Sequence, residues 1–207
     1  MHLFRERERS MLATVGSSKP LEELLSLSEH ESTVLNGEVL MDWIDTPVGP
    51  LLAGATSSAL VLLEFSERNI LQQQLDSVRR RFNRSLRPGT NVWLASLRAQ
   101  LDEYFSGRRR DFELPLEYPG TAFQERVWST LLKIPYGETW SYLDRARRLG
   151  DIRATRAVGT ANGMNRIAIV IPCHRVINAN GKLGGYGGGL WRKQILLDLE
   201  RGQRGLL

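Results

Sequence analysis

The 207-residue chain reads as an α+β protein. An N-terminal α/β domain with a small antiparallel sheet and helices is expected, followed by a mostly helical C-terminal domain containing a helix-turn-helix. Three observations predict this. Short runs rich in apolar residues, bounded by turn signals, cluster between Val39 and Phe65. Two polar segments with helical spacing follow them. Beyond Gly120, capping residues and apolar residues at helical spacing recur three times. The length suits one or two domains. A composition of 42% hydrophobic and 25% charged residues excludes global disorder and a fibrous repeat.

Residues 1–36 read as an N-terminal extension, partly disordered, with one Leu-rich helical segment from Leu21 to Leu27. Its first ten residues alternate Arg with Glu and lack the apolar stretch of a secretory signal. The first domain spans residues 37–120. Val39, Met41 and Trp43, then Leu51 and Leu52, then Leu60 to Phe65 give three strands, with turns at Pro47 to Pro50 and Thr56 to Ser58. Helices follow at about Asn69 to Phe82 and Val92 to Phe105.

The C-terminal domain spans residues 121–207. Thr121 with Gln124 is a capping-box pair, and Phe123, Val127, Trp128, Leu131 and Leu132 continue at helical spacing until Pro135 to Gly137. A second helix from about Ser141 to Arg148 stops at Gly150. A third begins after Asp151, a good N-cap, and runs to about Asn162. In that third helix Arg156 is followed by Ala157, Val158, Gly159, Thr160 and Ala161, so one long cation projects from a nearly bare surface. Close packing against another helix would explain it, and so would close approach to a DNA groove. Ile167 to Ile171 reads as a buried strand or extended segment, and a last helix runs from about Leu190 to Arg201.

Charge separates the two halves. Up to Gly120 the balance is −3, and from Thr121 onwards it is +8. A basic half is either a solvated surface or the footprint of a polyanion. No apolar run approaches the roughly 20 residues needed to cross a membrane, and a cytoplasmic location is expected.

Cys173 is the only cysteine, so an internal disulfide and a Cys-rich zinc site are both excluded. Most free cysteines act as small buried hydrophobes. This one follows Pro172 and precedes His174 and Arg175, cations that could depress its pKa. A nucleophilic thiol with a His base is the functional alternative. Neighbours on an extended segment point to opposite faces, so a bridging water is expected between them. A carboxylate to orient the base could be Asp198 or Glu200. The run Gly184, Gly185, Tyr186, Gly187, Gly188 and Gly189 lacks the Gly-Lys-Ser/Thr ending of a phosphate-cradling loop and suits closure over a planar ligand.

Together these residues resemble the O6-alkylguanine-DNA alkyltransferase family, also called the methylated-DNA-protein-cysteine methyltransferases. The resemblance rests on Ile171-Pro172-Cys173-His174-Arg175-Val176-Ile177, Arg156-Ala157-Val158-Gly159, Ser141-Tyr142, Asn165, Tyr186 with Gly188 and Gly189, and the last helix with Lys193 and Glu200. The Thr46-Pro47-Val48-Gly49-Pro50 turn extends it from about Gly37 to the C-terminus.

The resemblance implies single-turnover repair of double-stranded DNA containing O6-alkylguanine, with O4-alkylthymine as a further expected substrate, by a monomer needing no cofactor or metal. Cys173 would accept the alkyl group, His174 would take its proton through a water, Glu200 would orient His174, and Asn165 would tie the turn beneath. Arg156 would fill the gap left by the flipped base. Ser141, Tyr142, Ala157 and Gly159 would complete the DNA-facing surface, with Tyr142 also turning the phosphate. The base would be held by Tyr142, by carbonyls at Cys173 and Val176, and by the loop at Tyr186 and Gly187.

The chain departs from the family pattern at Gly187, where members often carry Ser, and at Trp140, Asp144 and Arg145, which are bulkier or more charged than expected. Residues 1–36 have no counterpart in the short members. The alternative is a non-catalytic binder of alkylated DNA or a regulator, against which Cys173, His174 and Glu200 argue. A cysteine hydrolase would need an oxyanion site that the sequence does not supply.

Overall fold

The computed structural model describes residues 20–26 and 36–203. The expectation of disorder falls on stretches outside the described residues. Within them, helix α1 (Leu21–Ser26) precedes a four-stranded sheet: β1 (Glu38–Ile44), β2 (Leu51–Ala55), β3 (Leu60–Phe65) and, after helix α2 (Leu71–Phe82), β4 (Ser85–Pro88). The strand order is β3-β2-β1-β4. β1 pairs antiparallel with β2 but parallel with β4, from Glu38 opposite Ser85 to Met41 opposite Pro88. The sheet is therefore mixed, which corrects the antiparallel expectation. The reason is α2, which supplies the crossover that a parallel neighbour requires. The strand it delivers is too short and too exposed to show an alternating pattern.

Both faces of the sheet are covered. Val39, Met41, Leu52, Leu62, Leu75, Val78 and Leu86 form one core with Leu24 and Leu25 of α1. Ile44, Leu51, Ala53, Leu63 and Phe65 face the other way, against helix α3 (Val92–Phe105) and the C-terminal half. Every residue of β3 is consequently buried, which explains why the strand is apolar throughout except at Glu64. Asn91 caps α3 by accepting from the amides of Trp93 and Leu94.

The C-terminal half begins with α4 (Ala122–Leu131), whose capping box is formed: Thr121 Oγ1 accepts from Gln124 N and Gln124 Oε1 from Thr121 N. After the short strand β5 (Trp140–Ser141) come α5 (Tyr142–Arg148) and α6 (Thr155–Gly163). Gly150 turns between them at φ +85°, and Asp151 caps by accepting from Arg153 N. Residues Ile152–Ala154 form a 3-10 turn before α6, so the helix expected from Asp151 is split in two. The half closes with β6 (Val176–Ile177), parallel to β5, and α7 (Leu190–Glu200).

The edge of β3 joins the halves. Leu63 N donates to Arg166 O at 2.8 Å and Ala168 N donates to Leu63 O at 2.7 Å. This is a single bridge and not a ladder. The segment expected to be extended is a buried turn: Ile171 N reaches back to Ile167 O at 2.9 Å, with Ile169 at φ +69°. A β-branched residue in that region is uncommon and costs on the order of 1–3 kcal/mol, which its surroundings must offset. None of the described helices is long and apolar enough to cross a membrane.

Candidate active site

Cys173 opens a one-turn 3-10 helix, Cys173–Arg175, directly after the buried turn. Asn165 holds the two together. Its side-chain amide Nδ2 donates to Ile171 O at 2.9 Å and to Cys173 Sγ at 3.1 Å, while Oδ1 accepts from Ile167 N at 3.1 Å. A buried side chain thus replaces the ladder partners the turn lacks. Burial pushes the Cys173 thiol up, against the pull of Asn165, Arg68 and Lys193. The resting sulfur is a thiol. This corrects the expectation that His174 and Arg175 depress it, because their side chains are committed to Glu200.

Glu200 is the centre of a closed cluster. Oε1 meets His174 Nε2 at 2.8 Å and accepts from Tyr104 Oη at 2.8 Å and Arg175 Nη2 at 3.0 Å. Oε2 accepts from Arg175 Nε at 2.9 Å and Gly137 N at 3.1 Å. Arg175 Nη1 donates to Ile134 O. Asp198, the other carboxylate considered, accepts from Gln194 instead. Burial alone would raise the Glu200 carboxyl, but His174 and Arg175 outweigh it and bring it to about 2. His174 is completely buried, and burial lowers its pKa more than Glu200 raises it. The imidazole is therefore neutral. Facing an ionised carboxylate, Nε2 must carry the hydrogen, which leaves the Nδ1 lone pair basic. Nδ1 is buried and has no hydrogen-bond partner among the described residues.

A cavity of about 220 Å³ opens beside the sulfur. Drug-sized ligands occupy pockets of roughly 300–1,000 Å³, so this one suits a single small planar group. Cys173, Asn165, Tyr142, Gly159, Tyr186 and Gly187 line it, as do Glu64, Phe65 and Arg68 from the first half. His174 and Glu200 lie behind this wall, and Val176 is also outside it. The Val176 carbonyl accepts from Lys193 Nζ at 2.6 Å, which also anchors the glycine loop at Leu183 O. Burial pulls Lys193 down to about 8. Tyr142 Oη donates to Gly185 O at 3.2 Å, and Gly184, at φ +66°, tucks beneath the Tyr142 ring, 3.1 Å from where its Cβ would stand. The Tyr186 ring meets Phe65 edge-on at 6.0 Å.

Beside the cavity lies an exposed helical face. Arg156 and Ala157 of α6 are exposed. Gly159 lies under the Tyr142 ring, with 3.8 Å of space for a Cβ, so its bareness is compatible with ordinary packing. Ser141 caps α5 in a second capping box with Asp144. The departures at α5 are structural. Arg145 is fully buried and donates to Asn162 Oδ1, Val127 O and Thr130 Oγ1, bracing α5 against α4 and α6. Burial lowers it to about 10, so it stays charged at neutral pH. Trp140 lies under the Arg148 guanidinium at 4.0 Å.

Sequence reasoning missed Glu64, Phe65, Arg68 and Tyr104. All four come from the first half, where the only visible signal was a Glu at the end of a strand that is otherwise apolar.

Residues 39–118 match the family model of the 6-O-methylguanine DNA methyltransferase ribonuclease-like domain, and residues 122–202 match that of its DNA-binding domain. The chain belongs to the 6-O-methylguanine DNA methyltransferase family. Among members named methylated-DNA–protein-cysteine methyltransferase, that of Mycobacterium tuberculosis is 46% identical over 158 residues, covering 76% of this chain and 90% of its own. The inducible member of Bacillus subtilis is 43% identical over 136 residues, covering 66% of this chain and 76% of its own. The crystal structure of M. tuberculosis OGT in complex with DNA superposes with a TM-score of 0.67 at 43% identity, over 80% of this chain and 94% of that one. In this methyltransferase family fold, the two halves described above meet at the cavity.

Proposed function

We propose that this protein repairs DNA by direct reversal, moving the alkyl group from O6 of a guanine in duplex DNA onto its own Cys173, once per molecule. One observation carries the reading: a buried thiol, held by an amide N–H, forms the wall of a base-sized cavity beside an exposed helix bearing Arg156. The lesion enters that cavity only if flipped out of the duplex, at a cost of a few kcal/mol that pocket contacts and an Arg156 plug must offset.

The chemistry is a displacement at carbon. The thiol proton passes through a bridging water to His174 Nδ1, whose partner-free lone pair suits that task. Sγ then attacks the alkyl carbon, the C–S bond forms, the C–O6 bond breaks, and its electron pair goes to the purine, which takes up the proton that left the thiol, returned from the His174 imidazolium through the water. Glu200 holds the imidazole in the required tautomer and stabilises its charged form. The product thioether does not revert, so the protein is consumed. The reaction runs in the cytoplasm with a monomer.

Incubation with a duplex oligonucleotide carrying O6-methylguanine tests this by intact-protein mass. One methyl adduct per chain, mapping to Cys173, is expected. Binding without an adduct would instead make the protein a non-catalytic lesion binder.

A further inference from the structure

Arg68 is, among the described residues, the one Lys or Arg that lines the cavity. It belongs to the turn after β3, in the half of the chain to which the sequence assigned no chemistry. Its side chain is 11% exposed and firmly held. Nη1 pairs with Glu64 Oε2 and donates to Asn165 O at 3.2 Å, and Nη2 donates to Gly163 O. Those bonds use three of the five N–H groups a guanidinium offers. The group also fills the space beside the glycine loop. A Cβ on Gly187 would stand 2.5 Å from Arg68 Cζ and 2.6 Å from Nε and Nη2, so a side chain at residue 187 would have to displace the Arg68 guanidinium.

We propose that Arg68 is a substrate-contacting, rate-determining group of the transfer pocket, donating its remaining N–H groups to the acceptor edge of the bound base and stabilising the charge that develops there. This rests on the repair reading above. When the C–O6 bond breaks, the electron pair moves onto the purine before its proton arrives. A donor fixed in advance at such a position is worth about 10²–10³ in rate in other enzymes. The hold on Arg68 suits that role. Glu64 is fully buried at the end of β3, and Asn165, whose carbonyl receives Arg68, also donates to the sulfur. Cation, amide and nucleophile are thereby fixed relative to one another. Burial raises the Glu64 carboxyl to about 7, against the attraction of Arg68, so burial costs the ionised carboxylate more than its partner returns. The thiol is faced by Arg68 and Glu64 from the first half, Asn165 from the turn, Lys193 from α7, Tyr142 and Arg145 from α5 and Tyr186 from the loop.

The test compares Arg68→Met, Arg68→Lys and the wild type, in single-turnover transfer from duplex O6-methylguanine and from free O6-benzylguanine, with melting temperatures measured alongside. Arg68→Met is expected to slow both reactions by about 10²- to 10³-fold. It should also move the rising limb of the pH–rate profile to higher pH, since a cation that favours the thiolate is gone. Arg68→Lys should recover part of both effects. Gly187→Ala should slow the wild type yet cost little in an Arg68→Ala background, where the space is vacant. The proposal is overturned if Arg68→Met reacts at the wild-type rate. It is equally overturned if Met and Lys variants are slowed alike with an unmoved pH profile, which would make Arg68 a clamp between the halves. A wild type that forms no adduct overturns the repair reading itself, and this inference with it.

Discussion

The surfaces on either side of Cys173 are built on opposite rules. Behind it, His174, Arg175 and Tyr104 are buried and all hydrogen-bonded to Glu200, whose two carboxylate oxygens both have partners. In front, Arg156 and Ala157 on α6 are exposed. The rear cluster is a fixed charge arrangement whose loss should damage fold and chemistry together. The front face can change its partner without disturbing the fold, so its loss should alter only what the protein does to duplex DNA. In the proposed repair reaction, that contrast would separate the chemical step from the delivery of the base.

The largest expected effect lies in the rear. Glu200→Gln leaves the Arg175 guanidinium buried without its counter-charge, a change worth about 3–5 kcal/mol of stability. It also replaces one carboxylate oxygen by an NH2 group, so His174 Nε2 faces a neutral amide that can donate as well as accept. The tautomer is no longer fixed and the imidazolium loses its counter-charge, so transfer should fall with both duplex and free-base substrates. The pH dependence has a definite sign. The Glu200 carboxyl is depressed from its usual 4.5 to about 2, so its stabilisation is present above pH 4.5 and is lost as pH falls towards 2. His174 is lowered from 6.5, so below that pH the unfolded chain takes up a proton that the folded one resists, which also reduces stability. Melting temperature should therefore decline below about pH 6.5, and more steeply below pH 4.5. Glu200→Gln should lose the steeper part. A melting profile unchanged by the substitution would show that the cluster does not carry that charge.

The front face gives the next effect. Arg156→Ala should slow repair of a duplex by about tenfold or more, equivalent to about 1.4 kcal/mol, with melting temperature unchanged. Transfer from free O6-benzylguanine, which needs no flipping, should stay at the wild-type rate. Equal losses on both substrates would erase the distinction between front and rear.

The same contrast explains what the sequence could reveal. The front face and the proposed nucleophile lie on continuous motifs, Arg156 to Gly159 and Pro172 to Val176, and the caps at Thr121, Ser141 and Asp151 are local spacings. Such features are legible because their physics is local. The rear cluster and the pocket wall are not. Tyr104 meets Glu200 across 96 positions, and Arg68 meets Asn165 across 97. Nothing near Arg68 in sequence distinguishes it from the many solvated arginines of the first half. The strand β4 was invisible for a related reason, since a four-residue edge strand carries no period to read. The turn at 167–171 was misjudged because its apolar run has a strand's composition, while its hydrogen bonds go to one asparagine side chain.

The smallest expected effect sits at the hinge between the two faces, and it tests whether they are independent. Ser141 and Asp144 satisfy each other's end of α5: Ser141 Oγ accepts from Asp144 N at 3.0 Å, and Asp144 Oδ2 accepts from Ser141 N at 3.2 Å. The carboxylate is held below its usual value by its bonds to Ser141. Asp144→Ala removes one half of this exchange, and Ser141→Ala the other, each costing about 1 kcal/mol. For a chain of this size that corresponds to about 2–4 °C of melting temperature. Because α5 carries Tyr142 into the cavity but is also braced by the buried Arg145, the cap should affect helix fraying more than Tyr142 position. Both variants should therefore keep the wild-type rate with free O6-benzylguanine. A rate loss there matching the loss with duplex DNA would mean that the cap sets the pocket as well as the helix end, and that front and rear are mechanically coupled through α5.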